Sequence, residues 1–195
     1  MKISKSLIVL VAGVAATCAH ADTIATFADP ALNGTTPLFS YDAGAGMLSG
    51  SWAGTGLTLQ TPGLSAPDYT NVTFSMSAAA VSGSHPLASI GAGQIDFFDN
   101  TSALIMSVSW DAASLTSFGF GASQFAAQNV SFSGPAIPIG FTDQSFAFSF
   151  ANVINNPTNG SFTATASFTS SATIPAPGAL ALIGMGGLVA GRRRR

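Results

Sequence analysis

The chain has 195 residues, with six basic and eight acidic side chains and a formal net charge of −2. Every basic residue lies at an end (Lys2, Lys5 and Arg192 to Arg195), while the acids, from Asp22 to Asp143, are all Asp, with no Glu. Residues 22–173 therefore hold no Lys, no Arg, no Cys and a single His, His85. That body has nothing to neutralise phosphates, so it is not expected to bind nucleic acid. It also lacks a Walker lysine, a Schiff-base lysine and a thiol nucleophile.

Residues 1–21 read as a signal peptide helix for Sec export. Lys2 and Lys5 give the charged start, and Leu7 to Ala16 is an apolar run too short to span a bilayer. Ala19 and Ala21 flank His20 in a small-x-small site, which puts cleavage before Asp22. The only cysteine, Cys18, falls in this segment, so the mature chain is expected to hold no disulfide.

The length of residues 22–169 suits one domain. All 15 Phe lie between residues 22 and 173, an aromatic load that a disordered chain lacks. The apolar period is two: Val72, Phe74 and Met76; Met106, Val108 and Trp110; Val130 and Phe132; Phe146, Phe148 and Phe150; Phe162, Ala164, Ala166 and Phe168. Each run alternates with small residues, mostly Ser and Thr, as half-buried antiparallel strands require. Further strands are predicted near 37–42, 46–52, 56–60, 93–98, 115–120 and 137–142, separated by turn signals such as Asn33-Gly34, Pro62-Gly63 and Gly134-Pro135. This pattern predicts an all-β fold, an antiparallel two-sheet sandwich of jelly-roll type. Residues 170–177 read as a stalk.

Within the body, Trp52, in Ser-Gly-Ser-Trp-Ala-Gly, is the candidate glycan contact, and Trp110 reads as core. His85 with an Asp and a Ser would be needed for a hydrolase triad, but no Gly-x-Ser-x-Gly elbow accompanies it. Asp96, Asp99 and Asn100 offer hard oxygen ligands, so calcium is the candidate cofactor and no other metal is expected. No catalytic set emerges. Asn-x-Ser/Thr sequons begin at Asn33, Asn71, Asn100, Asn129 and Asn159.

The tail has three parts in order: Pro175-Ala176-Pro177, an uncharged run from Gly178 to Gly191 carrying Leu180, Leu182, Ile183 and Leu188, and Arg192, Arg193, Arg194 and Arg195. A helix over that 14-residue run reaches only about 21 Å, short of a ~30 Å hydrocarbon core. It could span as a short transmembrane helix with snorkelling arginines, whose charge holds the end in the cytoplasm. This tail, residues 178–195 preceded by the Pro-x-Pro motif, resembles the PEP-CTERM sorting signal of Gram-negative bacteria. The family usually has Glu between the prolines, where this chain has Ala176. The resemblance implies export, membrane retention through the tail, processing by exosortase and delivery to the cell envelope, the cell surface or an exopolysaccharide matrix. It implies nothing about chemistry in the body. The expected protein is thus a non-enzymatic surface or extracellular-matrix protein, with a carbohydrate-binding module or adhesin as the alternative and a secreted hydrolase behind both.

Overall fold

A computed structural model of the chain describes residues 21–28, 30, 36–64, 67–84, 87–119 and 122–173. The expected signal segment up to His20, His85 and everything from Ile174 onward, including the expected sorting motif, lie outside the described residues. The described residues form β1 (Ala21–Phe27), β2 (Phe39–Asp42), β3 (Met47–Trp52), β4 (Thr58–Leu59), β5 (Tyr69–Thr70), β6 (Thr73–Ser84), β7 (Leu87–Ile90), β8 (Gly93–Phe98), β9 (Leu104–Trp110), β10 (Ala112–Gly119), β11 (Ala122–Gln128), β12 (Ser131–Ser133), β13 (Thr142–Asn155) and β14 (Phe162–Thr173). All pairings are antiparallel.

The period of two sets which side chains go inward. In β13, Phe146, Phe148 and Phe150 are buried, while Ser149 between them is exposed. In β14, Ala164, Ala166 and Phe168 are buried and Ser167 is exposed. The inward rings meet. Phe148 lies 4.6 Å from Phe39, 4.7 Å from Phe146 and 5.4 Å from Phe125 between ring centroids, mostly edge to face. Phe168 bridges this group to Phe27 at 5.2 Å and Phe97 at 5.4 Å. Edge-to-face contacts of this kind add to the burial of each ring. Glycine admits one of them: a Cβ on Gly50 would stand 2.5 Å from the ring of its register partner Phe39.

The sheet does not split in two. From β6 the ladder runs through β3, β2, β14, β13, β11, β10 and β7, and β7 pairs with β6 again. The expected two-sheet sandwich is therefore corrected to a closed antiparallel barrel. The reason lies in three long strands. β6 pairs with β3 along one side, and on the other with β8 over Thr73–Met76 and β7 over Val81–Ser84. β14 likewise pairs with β13 along one side, and on the other with β2 and then β1. β13 bends at two register shifts, each holding a residue at positive φ, Asp143 (49°) and Asn152 (50°). Such bulges increase local twist and let one strand serve two parts of a barrel. β8, β9 and β12 extend from β6 as a flap, and β4 pairs with β5 separately.

Two further expectations change. The segment 137–142 is a turn up to Phe141, because Pro138 and Gly140 (φ 100°) interrupt it, and β13 starts only at Thr142. The stalk does not begin at residue 170, since β14 runs to Thr173 and Ser170 is only 1% exposed. The Ser170 hydroxyl accepts from the Ala25 N–H (3.0 Å) and donates to the Ala25 carbonyl (2.9 Å). It thereby satisfies the backbone where β1 bulges between Thr23 and Ala25.

Candidate functional site

The acidic residues singled out for calcium sit in two separate networks. Asp99 opens the β8–β9 turn. Its Oδ1 accepts from the Thr101 N–H (2.8 Å), the Thr101 hydroxyl (2.7 Å) and the Ala103 N–H (2.9 Å). The Thr101 hydroxyl first, then the Ala103 and Thr101 N–H groups, hold this carboxyl below its usual value. Asn100 is exposed in the same turn. Asp96 stands on the outer face of β8, where its Oδ1 accepts from the Ser107 hydroxyl (2.6 Å) and from Gln94 Nε2 (2.7 Å). Among the described residues no three His, Cys, Asp or Glu side chains gather in a group able to hold a metal ion.

The two tryptophans differ. Trp110 is 2% exposed, donates from Nε1 to the Gly91 carbonyl (3.0 Å) and stacks on Phe146. Trp52 is half-buried at the end of β3, with Phe74 as its register partner and its indole against Gly54. Its Nε1 is enclosed and makes no hydrogen bond. Its ring is partly buried and packed against the core cluster. Of the sequons, Asn71 and Asn129 lie in turns at positive φ (53° and 52°). Asn71 Oδ1 accepts from the Gly56 N–H, and Asn129 Nδ2 donates to Asp111 Oδ2.

A concave feature is also present on the outer faces of β2, β3 and β6. It is a shallow groove of about 440 Å³ lined by Pro37, Ser40, Ser49, Ser51, Ser75 and Met76, among others. Register puts these hydroxyls side by side: Ser40 opposite Ser49, and Ser51 opposite Ser75. The row continues from Ser75 to Asp96 on β8 and from Asp96 to Ser107 on β9. Alternating hydroxyls on each strand are visible in the sequence. Their alignment across four strands is not, because it depends on registers that no local pattern specifies.

The fold and its polar face define an antiparallel β-barrel protein with a hydroxyl-lined groove. No protein-family model, no curated protein and no solved structure matches the chain.

Proposed function

We propose that this is an exported, non-enzymatic protein of a Gram-negative cell surface or extracellular matrix, whose two ends are address segments for Sec export and for exosortase. The carrying observation is that Ala21 and Thr173 are register partners at the ends of β1 and β14. Both address segments therefore join the body at one strand pair. Cleavage after Ala21 and within or beyond Pro175–Pro177 would remove a single rung and leave the rest of the ladder intact. The partition of charge supports the same reading, with all six cations in the segments to be removed or embedded.

The test is fractionation and intact-mass measurement in hosts with and without exosortase. The expected mature form starts at Asp22, leaves the cytoplasm and lacks Arg192 to Arg195 when exosortase is present. Without the enzyme it keeps the arginines and stays with the membrane. A cytoplasmic protein retaining residues 1–21 would overturn the reading. The alternative, a carbohydrate-binding module or adhesin, is favoured by the groove on β2, β3 and β6 more than by Trp52, whose ring is packed.

A further inference from the structure

We infer that the groove bordered by Asp96 binds a neutral, hydroxyl-rich polysaccharide chain. The inference rests on the reading that the body is delivered to a polysaccharide-bearing surface. Four serine hydroxyls line the groove, and each can both donate and accept. Neighbouring register partners on one face stand about 5 Å apart. The row Ser51–Ser75–Asp96 thus offers polar groups at regular steps across the strands. Pro37, exposed at the edge of the groove, adds apolar surface against which the C–H face of a sugar ring can lie.

Asp96 supplies the directional contact. Ser107 and Gln94 both bind its Oδ1, fixing the carboxylate on the half-buried outer face and leaving Oδ2 as an acceptor for a sugar hydroxyl. A hydrogen bond to an ionised acceptor is about twice as strong as a neutral one. Charge selects among polymers. No Lys, Arg or His lies among the described residues, so nothing there can neutralise a uronate, sulfate or phosphate, and Asp96 repels them. A neutral chain has no such penalty.

Affinity gel electrophoresis of the detergent-solubilised full-length chain tests this, using gels cast with dextran, laminarin, galactomannan or, as the anionic comparison, alginate. At least one neutral polymer is expected to retard the protein. Asp96→Asn is expected to weaken retardation about tenfold or more. Ser75→Phe and Ser51→Phe, each placing a ring in the groove at an exposed strand position, are expected to abolish it while the melting temperature holds. Trp52→Ala should retain it if the variant folds. Failure of all three neutral polymers to retard the wild type would overturn the inference. So would retardation by alginate alone, or unchanged binding in Asp96→Asn together with either Phe variant that melts as the wild type does. None of these results bears on export, which fractionation decides separately.

Discussion

The Asp99 side chain builds the turn that follows it, and Asp42 does the same, while other aspartates hold more distant segments. Asp42 Oδ1 accepts from the Gly44 and Ala45 N–H groups, and Asp68 Oδ1 from the Thr61 N–H. Asp111 takes Asn129 Nδ2. A one-carbon stem reaches the backbone two residues on, which a Glu stem overshoots. For Asp42 and Asp99 this explains the choice of Asp, whereas Asp68 and Asp111 reach partners 7 and 18 residues away. Within the run Asp96, Asp99 and Asn100 the roles differ. The cluster contains a turn cap and a strand residue that face different partners. Because folding holds the Asp99 carboxyl below its usual value, the folded state favours the ionised form. The associated stability is fully present above the ordinary carboxylate value of about 4 and is lost as pH falls through the folded one. Asp99→Ala is therefore expected to lower the melting temperature by a few degrees at pH 7, and the gap to the wild type should shrink as pH drops below about 4. A gap that stays constant down to pH 2 would show that the carboxylate charge is not what holds the turn.

At the scale of elements, the closed ladder pairs many strand edges with one another, and particular groups cover some of the positions that remain. The Phe132 N–H of the terminal strand β12 donates to Gln144 Oε1, and Gln144 Nε2 donates to the Phe141 carbonyl. The Ala136 N–H takes the Ile105 carbonyl beside it, and Thr26 exchanges two hydrogen bonds with Gln60 alongside β1. Such cover opposes strand addition between copies at those positions. Strands with bulky groups at every second position, as in 146–150 and 162–168, were legible because hydrophobic periodicity reports burial directly. β11 was not, since Ala-Ser-Gln-Phe-Ala-Ala-Gln holds one large apolar group, and β7 is only four residues long. Barrel closure was hidden too, because it needs the last residues of β6 to pair with β7, and Ser82-Gly83-Ser84 carries no apolar signal. Ser170 hid for a related reason: a serine in a hydroxyl-rich run looks like stalk, and only its partner 145 residues away reveals it. Ser170→Ala leaves a buried N–H and C=O of Ala25 without that hydroxyl, and should cost about 1–3 kcal/mol in denaturant unfolding. A loss under ~0.5 kcal/mol would mean that β1 closes its own bulge.

For the molecule as a whole, the net charge of −2 conceals a body that carries eight Asp and no Lys or Arg. Two of its described acids, Asp96 and Asp99, are half-buried, and Asp22, Asp42, Asp68, Asp111 and Asp143 are exposed. With no Lys, Arg or His among the described residues, their mutual interaction is repulsion alone. Salt weakens repulsion between exposed charges: the screening length falls from about 30 Å at 0.01 M to about 3 Å at 1 M. Raising NaCl across that range should therefore raise the melting temperature, by roughly a few degrees. Proteins with mixed surface pairs lose attraction as well as repulsion, so the rise below about 0.2 M, where screening dominates, should be larger here than in such proteins. Calcium then becomes decidable. If the acids act only as a diffuse field, CaCl2 at matched ionic strength should reproduce most of the NaCl shift, since Asp96 and Asp99 hold separate networks instead of a shared cage. A calcium-specific rise that saturates at low millimolar concentration and disappears in Asp96→Asn would restore a bound cation at that site. It would also turn the repulsion of anionic polysaccharide into bridging, and the selectivity for neutral chains inferred for the groove would fail with it.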